Sequence, residues 1–233
     1  MAFRFRQFTL EDRQSTMRIG TDAMLLGSWA NPGVAKKILD IGTGSGVLSL
    51  MMAQKSEAMI EAIDIDHSSV LQARNNFLHS PWHSRLTAIH DSLQSFSCQK
   101  NADYDFIISN PPYFSNSLKS LSLRTNQTRH NDCLSINELA LIVSHLLATD
   151  GSFALVIPSE AAEKSQMICA EHGLYPARRL VVYPKTDSLP KRVLTEFTKI
   201  KILYPENTEL TILDSAGKFT PEYFSLTEYF HNF

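Results

Sequence analysis

Lys37-Ile38-Leu39-Asp40-Ile41-Gly42-Thr43-Gly44-Ser45-Gly46 is an apolar run that ends in three closely spaced glycines, and Val47 to Gln54 after it carry no charge. The run reads as a buried strand over Lys37–Ile41, and the segment behind it as a helix over Gly46–Gln54. Glycines at such a junction let the backbone turn sharply and let a ligand approach the helix N-terminus. A dinucleotide fingerprint spaces its glycines G-x-G-x-x-G. Here the spacing is G-x-G-x-G and no Gly-Lys-Ser/Thr follows, so neither a nicotinamide dehydrogenase nor a P-loop is the favoured reading.

Strand-like and helix-like stretches alternate on the C-terminal side of this turn. Strands are predicted at Ala58–Asp64, Leu86–His90, Asp105–Ser109, Ser152–Ile157, Leu180–Tyr183 and Val193–Leu203, seven with the first. Helices are predicted over His67–His79, over Ile136–Ala148 with a stop at Asp150-Gly151, and from Ser159 as N-cap to His172, closed by Gly173. The alternation predicts an α/β fold, a Rossmann-like and mostly parallel seven-stranded sheet with helices on both faces. Residues 1–233 read as a single domain, a lead-in over 1–30 followed by the α/β core over 31–233. Ser115–Cys133 lacks periodicity and is long for a connection, as expected of a functional or disordered loop.

The strand ends carry the chemistry. Asp64 lies 24 residues after Asp40, near the ~20-residue spacing at which an acid reaches ribose hydroxyls. Asp66 is its rival, but the apolar Ala62-Ile63 favours Asp64 as the strand-end residue. Asp91-Ser92 could donate and accept around an adenine ring. The fourth strand runs into Asn110-Pro111-Pro112-Tyr113. Asn110 offers an amide oxygen, Pro111 keeps its carbonyl as an acceptor, and consecutive prolines stiffen the backbone. Tyr113 adds a ring face for stacking. Such a set suits a planar group bearing an exocyclic NH₂, and open α/β sheets place ligands at these strand ends.

Composition excludes several classes. With 43% hydrophobic and 20% charged residues over 233 positions, the chain is an ordinary globule with a sizeable core. A net charge of −2 advertises no global nucleic-acid field, so any such partner must be held by a local patch. Cys98, Cys133 and Cys169 are far apart without a C-x-x-C, and the eight histidines show no H-x-x-x-H, so no metal is expected. The charged start Met1-Ala2-Phe3-Arg4-Phe5-Arg6 is unlike a signal peptide, and no run is long enough to span a bilayer. The expectation is a cytoplasmic protein without a membrane partner. Its oligomeric state is left open, a monomer being slightly favoured.

Together these motifs resemble class I S-adenosylmethionine-dependent methyltransferases, and Asn110-Pro111-Pro112-Tyr113 resembles their amino-methylating branch. Arg18-Ile19-Gly20-Thr21-Asp22-Ala23-Met24-Leu25-Leu26-Gly27-Ser28-Trp29 and Leu189-Pro190-Lys191-Arg192-Val193-Leu194 are similar to segments of the bacterial tRNA adenine-N6 methyltransferases acting on valine tRNA. The resemblance spans roughly 8–230. It implies S-adenosyl-L-methionine as cofactor, held by Thr21, Asp22, Asp40, Gly42, Gly44, Asp64, Ile65, Asp91, Ser92 and Asn110. It implies catalysis by Asn110, Pro111, Pro112 and Tyr113 on the adenosine 3′ of the anticodon. Arg124, Arg129, Lys191 and Arg192 are the expected RNA contacts, with further arginines at 4, 6, 13 and 18 and a basic stretch over Arg178–Lys201. The same chemistry on rRNA, DNA adenine or a protein glutamine is the alternative. The ~30 lead-in residues leave no room for the extra substrate domain that glutamine methylases of this type usually carry. A silent RNA-binding relative is the other class of reading, and the intact motifs weigh against it.

Overall fold

A computed structural model describes residues 2–12, 20–100, 103–111 and 134–231 of the chain. Its centre is an eight-stranded sheet. In chain order the strands are β3 (Lys37–Ile41), β4 (Met59–Asp64), β5 (Leu86–His90), β6 (Tyr104–Ser109), β7 (Leu147–Pro158), β8 (Tyr175–Lys185), β9 (Arg192–Thr198) and β10 (Glu206–Leu213). A two-stranded hairpin, β1 (Ala2–Arg4) and β2 (Thr9–Glu11), precedes them. Across the sheet the order is β10-β8-β9-β7-β6-β3-β4-β5. Only the β7–β9 and β8–β9 pairings are antiparallel, so β9 alone runs against the other strands. The Rossmann-like, mostly parallel sheet expected from the alternation is present, with eight strands rather than seven.

The helices are α1 (Thr21–Trp29), α2 (Val47–Lys55), α3 (His67–Leu78), α4 (Leu93–Cys98), α5 (Ile136–Leu146), α6 (Ser159–Glu171) and α7 (Pro221–Thr227). Successive strand residues point to opposite faces, and the core divides accordingly. Ile38, Ile60, Phe106, Ile108 and Val156 pack with Leu25, Leu50, Met51, Phe77 and Tyr223 of α1, α2, α3 and α7. Leu39, Ile41, Ile107, Leu155 and Ile157 pack with Phe96, Leu139, Val143 and Cys169 of α4, α5 and α6. Burial on both faces is why these strands read as near-continuous apolar runs. Local polar chemistry starts several helices. Asp66 caps α3 by accepting from Ser69 N, and Thr220 caps α7 ahead of Pro221. Ser135 and Glu138 form a reciprocal capping box on α5.

Three expectations are corrected. Asp150-Gly151 does not stop a helix: α5 ends at Leu146 and both residues lie in β7. There the register against β6 shifts between Tyr104 and Phe106, and a Cβ on Gly151 would sit 2.9 Å from the Tyr104 carbonyl oxygen. The glycine thus admits a close backbone approach at a bulge. Ser159 is the first residue of α6, with Pro158 as N-cap. Its hydroxyl donates to Pro190 O and its amide to Lys191 O, because β7–β9 pairing continues through Pro158 and Arg192. The strand predicted to reach Leu203 ends at Thr198, whose hydroxyl donates to Ile200 O in a turn.

Candidate active site

Register brings four strand ends into line. Ile41 pairs with Ile63 on one side and Ser109 on the other, and Asp64 pairs with His90. Gly42, Asp64, Asn110 and Asp91 therefore open onto the same edge of the sheet. Hydrogen bonds tie the ends together. Gly42 N and Thr43 N donate to Ile63 O at 2.9 and 3.0 Å, Asp91 N donates to Asp64 O, and Ser109 Oγ donates to Ile41 O. Three inter-strand steps of ~4.8 Å separate Asp91 from Asn110 by about 14 Å, room for a nucleoside and an amino-acid arm laid along the edge.

The glycine turn is held from beneath by Asp40. Its Oδ2 accepts from Thr43 Oγ1 at 2.6 Å, Ser49 Oγ at 2.6 Å and Ser49 N at 3.1 Å. The carboxyl is fully buried, and among the described residues its Oδ1 has no hydrogen-bond partner. Burial pushes this acid up to about 6, against the lowering effect of Ser49 and Thr43. Gly42, Gly44 and Gly46 all have positive φ, the left-handed region that favours glycine. A Cβ on Gly42 would meet nothing within 4 Å, so the face of the turn is open.

Asp64 closes the next position. Its Oδ2 accepts from Gly44 N at 2.8 Å and its Oδ1 from Asp66 N at 2.9 Å. Each oxygen keeps a second lone pair for a hydroxyl. Burial raises this acid too, opposed by the backbone bonds from Asp66 and Gly44. Asp66, the rival, is occupied as the cap of α3, with Ser68 Oγ and Ser69 N on its Oδ2. Ile65 stands beside Asp64 with 57% of its surface exposed, an apolar face at a polar edge. Asp91 Oδ1 accepts from Ser92 N, and Ser92 Oγ caps α4 by accepting from Ser95 N. Ser92 thus has its hydroxyl hydrogen left to donate.

Asn110 and Pro111 are half-buried at the end of β6. Pro112, Tyr113, Phe114, Arg124 and Arg129 lie outside the described residues, as do Arg13 and Arg18. The lead-in forms a helix that sequence periodicity missed: Ala23 to Ser28 of α1 are all buried, so no one-sided apolar stripe exists to be read. Its first turn reaches the site edge through Asp22, whose Oδ2 accepts from Arg192 Nε at 2.8 Å. Arg192, expected on RNA, is thus paired within the fold.

Three other residues of the basic stretch behave likewise. Arg178 binds Glu196 and lies 4.0 Å over the Trp29 ring, Lys199 donates to Leu147 O, and Lys201 sits over Tyr175. Lys185 and Lys191 are exposed. Trp82 packs edge-on against Phe8, and Tyr183 donates to Glu209. Among the described residues no group of three His, Cys, Asp or Glu is placed to hold a metal ion, and no helix is long and apolar enough to cross a membrane.

Comparison with known proteins agrees with this geometry. Residues 14–167 match the family model described as Methyltransferase small domain. The tRNA1(Val) (adenine(37)-N6)-methyltransferase of Bacteroides fragilis is 42% identical over 98% of this chain and 97% of its own. The proteins of that name from Parabacteroides distasonis and Trichodesmium erythraeum are 38% and 39% identical, with the same coverage. Among solved structures, a predicted O-methyltransferase from Agrobacterium tumefaciens superposes with a TM-score of 0.68 at 18% identity, covering 90% of this chain and 96% of that one. A geranyl diphosphate C-methyltransferase from Streptomyces coelicolor, solved with S-adenosyl-L-homocysteine, gives 0.53 at 11% identity, covering 73% of this chain and 72% of that one. Those likenesses concern the fold, whereas the identity to the curated relatives runs almost end to end: the chain belongs to the tRNA1(Val) (adenine(37)-N6)-methyltransferase family.

Proposed function

We propose that this protein transfers a methyl group from S-adenosyl-L-methionine to the exocyclic N6 of an adenosine in tRNA, the one 3′-adjacent to the anticodon of valine tRNA. The observation that carries the reading is the single line formed by Asp91, Asp64, the glycine turn and Asn110-Pro111. The residues present fit the cofactor. Among the described residues Asp40 Oδ1 is a buried acceptor without a donor, and buried acceptors are rarely left unpaired. Two acids raised by burial favour a cationic ligand, and the open face above Gly42 admits it. Asp64 would take the ribose hydroxyls, with Ile65 and Asp91 at the adenine and Asp40 and the first turn of α1 at the amino-acid end.

When bound, the sulfonium cofactor supplies an electrophilic methyl group. The chain's own residues prepare the acceptor. The N6 lone pair of adenine is delocalised into the ring. Asn110 Oδ1 and the Pro111 carbonyl accept the two N6 hydrogens, which favours a pyramidal nitrogen with its lone pair turned outward. Orientation at the ~3–3.5 Å attack distance then supplies much of the acceleration. One N6 proton leaves after the nitrogen has become cationic, so no strong base is required. Tyr113 would stack on the base, worth ~1–3 kcal/mol, and helps offset the few kcal/mol of unstacking an anticodon-loop base.

Asp40 makes both stability and binding depend on pH. Its carboxyl titrates at about 6 in the folded chain against 3.8 ordinarily. Between these values the folded state holds the extra proton, so stability falls as pH rises through that window, by about 3 kcal/mol from this group. Cofactor affinity moves oppositely, since the ionised form attracts the cation, and weakens by up to tenfold per pH unit below about 6. Melting temperatures and cofactor titrations from pH 4 to 8 check both. In Asp40→Asn both dependences should flatten, and unchanged slopes would remove Asp40 as their source.

The reading is tested by transfer of labelled methyl from S-adenosylmethionine to total tRNA from a strain lacking this protein, followed by nucleoside mass spectrometry. N6-methyladenosine in the valine tRNA anticodon loop is the expected product. Label absent from tRNA, with cofactor binding intact, would redirect the search to rRNA, DNA and protein.

A further inference from the structure

An open groove of about 900 Å³ runs between the β1–β2 hairpin and the C-terminal half of α3. Arg4, Arg6 and Gln7 stand on one wall, Asn75 and His79 on the other, and all five side chains are exposed. The hairpin wall is rigid: Phe5 and Phe8 are buried behind it with their rings stacked 4.3 Å apart. Arg6 N also donates to Phe230 O, pinning the hairpin to the C-terminal segment. Among the described residues neither Arg4 nor Arg6 has a side-chain hydrogen bond or ion pair. That sets them apart from Arg178 and Arg192, which the fold consumes. Among the described residues Glu11 is the one acid lining the groove, so its wall is locally positive on a chain of net charge −2.

The groove adjoins the cofactor turn. Asn76 joins the two: its Nδ2 donates to Ser45 O and to Glu11 O, both at 2.8 Å, and its Oδ1 accepts from Glu11 N. His79 adds a polar group of defined state. Its Nδ1 lies 2.7 Å from Asn75 O, an acceptor, so Nδ1 carries the proton. In the neutral ring Nε2 is then left to accept from a hydroxyl.

We infer that this groove is a second RNA subsite, in which Arg4 and Arg6 bind phosphates and His79 accepts from a ribose 2′-hydroxyl of a strand whose target base lies in the Asn110 pocket. The inference rests on the tRNA reading above and supplies what that reading lacks, a grip outside the reacting nucleotide. Unpaired arginines beside hydroxyl acceptors suit a ribose-phosphate backbone, and phosphate contacts position a nucleic acid without reading its sequence.

The test uses the full chain carrying Arg4→Gln and Arg6→Gln together, both exposed positions. Binding to tRNA is followed by fluorescence anisotropy across a salt series, with methyl transfer and cofactor affinity measured in parallel. The double variant should bind tRNA about tenfold or more weakly. Its log–log salt slope should be shallower by about 1.4–1.8, as for two lost phosphate contacts, with cofactor affinity unchanged. An unchanged tRNA affinity and slope, in a wild-type enzyme that methylates tRNA, overturns the groove and leaves the substrate reading standing. Equal weakening in a control lacking Lys164 and Lys218, exposed on other elements, also overturns it. A wild-type protein that binds cofactor but neither binds nor methylates tRNA fails the substrate reading itself.

Discussion

Asn110→Ala is expected to lower kcat for methyl transfer by about 10³-fold or more while cofactor affinity changes by less than about threefold. Removing one preorganised hydrogen-bonding group at a reacting centre typically costs ~10²–10³ in kcat. In the proposed mechanism the lost amide oxygen also orients the nucleophile, so alignment would suffer as well. Asn110 sits one residue beyond Ser109, whose hydroxyl is bonded to Ile41 O, so the backbone that presents it is fixed independently of its side chain. The variant should therefore fold normally. Single-turnover rates and isothermal titration with the cofactor separate the effects. Transfer at the wild-type rate would sink the proposed role, and parallel loss of cofactor binding would reassign Asn110 to the cofactor side of the site.

Two glycines in one turn should fail differently. Gly46 has φ +86°, and a Cβ there would lie 2.5 Å from Phe77 Cε1. The left-handed conformation costs an alanine roughly 1–2 kcal/mol, and overpacking adds roughly 1–3 kcal/mol. Gly46→Ala is thus expected to destabilise the protein by about 2–5 kcal/mol, a fall in Tm of roughly 4–20 °C for a chain of this size. Gly42 has φ +71° with nothing within 4 Å of its Cβ direction. Gly42→Ala should pay only the conformational term, about 1–2 kcal/mol, yet weaken the cofactor tenfold or more by filling the open face of the turn. Melting curves and cofactor titrations on both variants decide the matter. A Gly42 variant that binds normally would place the ligand elsewhere.

The contrast shows why the turn was legible and its details were not. G-x-G-x-G after an apolar strand is a local backbone signal, and all three positions adopt the positive φ that only glycine takes readily. Which glycine contacts a ligand and which packs against α3 depends on Phe77, 31 residues further on. Strands β3 and β5 match their predicted ends, and α2, α3 and β4 come within a residue or so, because burial on both faces writes itself as an apolar run. Elements with mixed environments escaped. α1 is buried on all sides, and β10 is a polar edge strand with four exposed residues in a row. Neither carries a clean period of 3.6 or 2.

Sequence alone determined the layer architecture, the glycine turn and the order in which Asp64, Asp91 and Asn110 terminate strands, because each follows from local propensity and hydrophobic period. The tertiary structure decided the partners of the charges. Arg192 and Asp22 are 170 residues apart in the chain and 2.8 Å apart in space. Arg178 closes on Glu196 and Trp29, whereas among the described residues Arg4 and Arg6 at the groove have no side-chain partner. A basic residue has the same identity whether it faces phosphate or a buried carboxylate. Only the packing of distant elements sets which of the two it meets.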